Sequence, residues 1–592
     1  MPNFAISGFS SLGNPNASNP FDFRHNLYDQ SVNLTWIKGT HSLRFGEEYF
    51  GIMLANFQSG SSYGGRGGFT FSGGLTALSG GPAPNLYNAW GDFLLGLPTA
   101  LGKDTQNINP AVMKENIYSF YANDQWQVSR KLTVSYGVRY EIYPFEHSNH
   151  GLGGISYDWN TNIVNFGGFG GVPYNAGIDT GHGVLGPRVG FAYRLTPRTV
   201  IRAGYGINPN NDNFHQGLPN FPMGITAVYN GANSYSAAGS LVSGIPLSPP
   251  VSIQQGTLPL PSIYSMTAYE QKFRRGYAID YNFTVQRNLG KDFILQAAFV
   301  GTRDIRELAV FNLNAATAPG TGKAGQPYYA KFGNANSISQ EEPSTTTNYN
   351  SLQLNLTRRV GKSTVGASYT YSKALDWVEG LVSTVMWSLP AMRQRNYALA
   401  SFDRPHNFEA YWVYDLPFGK NQHWLGTGLG ARIAGGWRMA GILTRGSGLP
   451  FTVSTSATSL NSPGNTQTAN QVVPKVQILG GHGTNQPYFD PNAFAPVTTA
   501  TFGSTGRNIM RGPGLFNLNG GLYRTFSLTE RFKLQFRADA YGLTNSPVFG
   551  NPSATVSNAT FSNGVVTSLN GYDTITSSTG QRVVQFALKL TF

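Results

Sequence analysis

Nine histidines and no cysteine limit the chemistry open to this 592-residue chain. Without thiolates there is no disulfide framework, iron–sulfur cluster or zinc–thiolate site. The stretch EHSNH offers Glu146, His147 and His150 as ligands for a cation. Their spacing fits no standard metal pattern, and histidines in a polar loop are ordinarily just solvated, so no metal is expected. His406, in DRPHN, could serve a Ser/His hydrolytic pair. It stands where an alternating segment begins, and no G-x-S-x-G elbow in a strand–turn–helix setting accompanies it. The glycine runs GGRGG (64–68) and GGFGGV (167–172) lack the strand–loop–helix context of a phosphate cradle. They read as flexible loop. The residues predict neither an enzyme nor a cofactor.

A different set of charged residues stands at regular spacing. Arg139, Glu141, Arg202, Arg537, Asp539 and Lys589 each alternate with apolar neighbours. In VVQFALKLTF, which ends the chain, Val584, Phe586, Leu588, Leu590 and Phe592 fall on one side of an extended strand, and Gln585 and Lys589 on the other. LTVSYGVRYEI (132–142), SLQLNLT (351–357), KLQFRADA (533–540) and YNFTV (281–285) repeat the pattern. Each strand has one oily and one wet face. The six charges above belong to the wet face, either lining a path for solute or paired with one another in water.

Few-residue connections join these strands in pairs, around Gly39, Ser129, Pro197, Gly290, Gly361 and Thr529, with a longer link from Leu416 to Arg432. Long stretches rich in Gly, Asn, Ser, Thr and Pro separate the pairs, over roughly 55–112, 144–185, 208–275, 303–346, 373–404, 447–513 and 546–580. So many long structureless connections do not suit a soluble domain. They suit a transmembrane antiparallel β-barrel, with short turns at the periplasmic side and long loops outside. About 15 strands are expected, in an all-β fold. Bacterial barrels use an even number, so an odd count predicts further strands upstream or a miscount by one.

Composition agrees. Only 12% of residues are charged and 13% are aromatic, with 31 Tyr, 38 Phe and 72 Gly; an average soluble protein is about 25% charged. The net charge of +13 comes without a block of clustered Lys and Arg, so no nucleic acid is expected. No run approaches the ~18 apolar residues of a spanning helix. The opening MPNFAISGFSSLG has neither a basic n-region nor an apolar h-region. Trp36, Trp126, Trp424 and Trp437 all lie beside short turns, where an interfacial girdle would meet outer-membrane lipid.

Several stretches resemble TonB-dependent outer-membrane receptors, particularly the Oar-like group common in Acidobacteria. They are YANDQWQVSRKLTVSYGVRYE (121–141), TNYNSLQLNLTRRVGKSTVGASYTYSKALD (347–376), FDRPHNFEAYWVYDLPFGK (402–420), LTRGSGLPFTV and FRADAYGLTNSPVFGNP. The resemblance runs from about Asn26 to the end and is specific for the barrel, not for a substrate. It implies the outer membrane, a 22-stranded barrel around a plug, and energy from TonB through an N-terminal TonB box. It implies uptake of a large solute such as a siderophore or glycan. Residues 1–592 then read as one barrel domain, N-terminally incomplete, without plug or TonB box. TonB is a partner only if such a region exists. The resemblance also makes Phe592 an address read by the barrel-assembly machinery. The Oar-like group's association with adhesion and signalling gives a surface role as first alternative; an outer-membrane hydrolase using His406 is the second.

Overall fold

Period-two alternation becomes strand. The computed structural model describes every residue except 8, 15–18, 20, 59–62, 79–85, 109, 149–150, 182, 211–220, 232–234, 247–250, 381–382, 421, 423, 458 and 484, and the side chains of Gln58, Leu86, His147 and Asn230. Among the described residues, fifteen long strands form the wall of one nineteen-stranded sheet, whose other four strands are short segments of the loops. The wall strands are β1 (Phe21–Lys38), β2 (His41–Gln58), β3 (Ala111–Gln127), β4 (Leu132–Ile142), β5 (Val184–Thr196), β6 (Thr199–Pro209), β7 (Tyr277–Gly290) and β8 (Phe293–Asn312). The series continues with β9 (Asn348–Val360), β10 (Ser363–Asp376), β11 (His406–Asp415), β12 (Trp437–Gly446), β13 (Leu515–Ser527), β14 (Lys533–Tyr541) and β15 (Val583–Thr591). Each pairs antiparallel with the next in chain order. Among the described residues no pairing joins β1 to β15, and β1 is exposed along its whole length.

The short connections all lie at one end. Four are two-residue turns, at 39–40, 197–198, 291–292 and 361–362. The turn expected around Gly290 falls on Lys291 and Asp292, whose φ angles of 51° and 64° are both left-handed. A tight hairpin needs that geometry to match strand twist. The link after β11 contains a short helix, Gly428–Ala434.

A further device holds neighbouring strands together. Tyr121, Tyr281, Tyr411 and Trp412 stand directly opposite Gly46, Gly301, Gly366 and Gly441. Each ring lies where a Cβ on its glycine would be. This explains glycines inside strands, where they otherwise weaken pairing.

The expectation of structureless loops is wrong. The long connections fold into small units with their own cores. Asn3–Ile6, Leu12–Gly13, Gly68–Phe71, Ala100–Gln106 and Gly224–Asn230 form a five-stranded sheet beside a helix at Leu86–Leu94. Ile6, Phe69, Phe71 and Leu101 pack beneath it. Tyr157, Val164, Phe166, Phe221, Met266 and Ile338 form a second core, and Phe451, Phe489, Phe494, Val556 and Tyr572 a third. The glycine runs form turns that touch the folded units: Gly64 N–H donates to the Asp104 carboxylate, and Gly170, at φ 52°, abuts the Gln255 carbonyl. Apolar residues scattered through these loops lose water-exposed area only by gathering in this way.

Candidate functional site

Cross-strand register decides which face each side chain occupies, because directly opposed residues share a face. Arg139 on β4 stands opposite Tyr121, and Glu141 opposite Ser119, which also opposes Glu48 of β2. Register carries this face round the sheet to Arg202, then to Arg537, Asp539 and Lys589. All six charged candidates therefore share one face. The other face carries Tyr118, Phe120, Val134, Phe191, Phe283, Leu354, Phe586 and Leu588. Its exposed apolar side chains include Phe586 at 70% and Leu588 at 69%, the arrangement of a wall standing against hydrocarbon.

Loop residues reach the charged face, so it is the inner one. Arg275, two residues ahead of β7, forms a buried ion pair with Glu115 of β3. Its guanidinium lies 3.9 Å from the Tyr143 ring centre. The Tyr143 hydroxyl donates to Glu141, Glu141 accepts from Arg139 Nε, and Arg139 Nη2 meets Glu48 Oε2 at 2.5 Å. A continuous polar chain thus runs from β2 along the wall into the loop cover. Among the remaining candidates, Arg202 donates to Gln286 Oε1 at 2.7 Å, and Arg537 pairs with Asp539 at 3.4 Å. Lys589 is exposed opposite Gln535.

Carboxylates outnumber cations at the top of this chain. Glu146 and Glu341, both beyond the strands of the wall, join Glu115 and Arg275. Desolvation raises the Glu146 carboxyl well above its usual range; Glu115 and Glu341 add to the rise and Arg275 opposes it. Burial pushes Glu341 up to about 7. Glu48, Glu115, Arg275 and Glu341 are not among the residues that sequence reasoning singles out. The alternation could have found Glu48. Arg275 and Glu341 become visible only once the loops are folded.

The other candidates separate. His150 and the side chain of His147 lie outside the described residues; the backbone of His147 and Ser148 forms a short strand against β3. Among the described residues no group of three or more His, Asp or Glu is placed to hold a metal ion. His406 begins β11 with Nδ1 2.7 Å from the Tyr369 hydroxyl, while the Ser447 hydroxyl accepts from the His406 backbone N–H at 3.1 Å. The hydrogen bond of the His406 ring is thus to a tyrosine, and Ser447 meets the backbone of His406 rather than its ring. Trp36, Trp126 and Trp437 stand on the outer face near the turns, and Trp424 is exposed in the 416–436 link. Phe592 is 79% exposed, its ring 6.3 Å from Phe532.

No helix among the described residues is long and apolar enough to cross a membrane, which says nothing against crossing by strands. A comparison with curated proteins finds no match. Solved structures with a similar chain course include the outer membrane transporter YddB from Escherichia coli, at 10% identity and a TM-score of 0.48, covering 96% of this chain and 55% of that one. BauA, the ferric preacinetobactin receptor from Acinetobacter baumannii, stands at 10% and 0.42, covering 97% and 55%. Fiu, the ferric-catecholate import receptor from K12 E. coli, stands at 11% and 0.42, covering 96% and 55%. The chain thus spans about 55% of the length of these structures. A family model described as outer membrane beta barrel domain matches residues 1–585. With its apolar outer wall, charged inner wall and one-ended short turns, the chain belongs to this family of outer-membrane β-barrels.

Proposed function

We propose that this barrel serves a TonB-dependent receptor and admits a large solute such as a siderophore or glycan. The polar chain from Glu48 through Arg139 and Glu141 to Arg275 carries the reading. It gives the inner wall fixed charges at the mouth, where a solute or a plug would be met. Coupling to TonB requires a plug region with a TonB box outside residues 1–592. Phe592 serves as the signal for the barrel-assembly machinery, and the four tryptophans as anchors in outer-membrane lipid.

Uptake of labelled siderophores and oligosaccharides, compared between a gene-deleted strain and its complement, tests this. Uptake that vanishes on deletion and on collapse of the inner-membrane proton gradient supports it. Uptake indifferent to the gradient leaves a passive barrel. The folded loop units favour a second reading, a surface-contact role; there, deletion would change adhesion and leave every uptake rate intact.

A further inference from the structure

The positive charge of this chain is not spread evenly along the barrel axis. Within four residues of the short connections or the C-terminus lie 19 of the 42 Lys and Arg, but four of the 29 Asp and Glu. The turn end is strongly basic, while the rest of the chain is close to neutral. Lys38, Arg130, Lys131, Arg198, Lys291 and Lys362 are all exposed there.

Outer-face geometry repeats a single motif at this end. Lys38 Nζ sits 5.5 Å from the Trp36 ring centre on β1. The His41 ring stacks on Trp126 at 5.3 Å, between β2 and β3. Arg358 of β9 lies 4.9 Å over Phe293 of β8. Arg524 of β13 lies 5.6 Å from Trp437 of β12 and 4.5 Å from Phe526. Register places these cations on the same side as the apolar wall. Lys38, Arg358 and Arg524 are therefore cations resting on aromatics of the outer face, each with its apolar stem toward hydrocarbon and its charge at headgroup depth, whereas the His41 ring meets the Asp124 carboxylate at 2.6 Å.

We propose that this rim is a binding surface for anionic phospholipids, each cation–aromatic pair seating one headgroup phosphate. Charge complementarity selects the partner: a guanidinium or ammonium held over a ring at headgroup depth meets phosphate, and a zwitterionic headgroup offsets that attraction with its own ammonium. An acidic protein could meet the exposed turns, but not Arg358 and Arg524 on the membrane-facing wall.

Electron spin resonance of the full chain in phosphatidylcholine vesicles tests the proposal, with spin-labelled phosphatidylglycerol and phosphatidylcholine as probes. A cation near a lipid surface is worth about a fivefold preference. The motionally restricted fraction should therefore favour phosphatidylglycerol several-fold. The preference should collapse in 0.5 M salt on the order of one Debye length of 4 Å. It should also fall toward unity in a variant carrying Lys38→Gln, Arg358→Gln and Arg524→Gln, while Arg274→Gln in the loops leaves it unchanged. Equal restriction of both lipids in the unaltered protein overturns the proposal. So does a preference that survives salt, a readout that stands even if the triple variant does not assemble.

Discussion

Arg139 holds two carboxylates on one wall. It meets Glu48 of β2 and Glu141 of its own strand, each partly shielded from water. Arg139→Ala leaves both carboxylates facing each other without their cation. A loss of about 1–3 kcal/mol is expected, read as a lower unfolding midpoint of the heat-modifiable band on gels. Asp573, outside the membrane wall, behaves differently. Its carboxylate accepts from the Tyr488 and Phe489 backbone N–H groups at 3.2 and 3.1 Å, yet burial outweighs those donors and pushes its pKa up to about 8. An unfolded aspartate titrates near ~3.9, so between these values the folded state holds a proton that the unfolded state has lost. Stability of this loop unit is therefore greatest at acid pH and falls as pH rises from about 4 to about 8. Hydrogen exchange over residues 486–494 and 553–575, corrected for intrinsic rate, should show faster opening at pH 8 than at pH 5. Asp573→Asn should flatten that difference; an equal difference in the variant assigns it to another group.

Strands test the two-faced wall most directly. Phe586 and Gln585 are neighbours near the middle of β15, one on the outer face and one on the inner. Phe586→Arg places a charge in hydrocarbon and should cost about 2–4 kcal/mol of folding stability in vesicles. Gln585→Arg, facing the lumen, should cost under about 1 kcal/mol by the same urea titration. If both cost the same, the assignment of faces fails. These elements were legible in the sequence because their signals are local: alternation of Leu534, Phe536 and Ala538, or a glycine at position 39 with φ of 59°. The loop units were not legible. Phe489 finds Phe451 and Tyr572, and Arg275 finds Glu115 across 160 residues of chain. No short window records such meetings. Alternation reaches Arg139 and Glu141, and by the same rule Glu48 of β2; the contact of Arg275 with Glu115 and Tyr143 depends on how loops cover the sheet.

At the scale of the whole molecule, the two ends of the sheet do different work. One end is a basic rim of short turns, the other a layer of folded loop units tied to the wall by buried ion pairs such as Arg507 with Asp376. A solute would meet the loop layer first and the inner charges next. Removal of Phe592, exposed beyond the last paired residue, should lower the amount of assembled barrel in outer-membrane fractions several-fold without changing the melting of what does assemble. An unchanged yield would leave Phe592 as an ordinary interfacial side chain. The two outer edges of the sheet also differ in reach. β1 has 18 residues and β15 has nine, and at about 3.3 Å per residue they extend some ~60 and ~30 Å. Only backbone at hydrocarbon depth must find a partner; backbone that rises above the headgroups is satisfied by water. An edge strand therefore demands a partner only over its membrane-crossing part, little more than the length of β15. The loop-side half of β1 can stand free in water as a blade above the membrane.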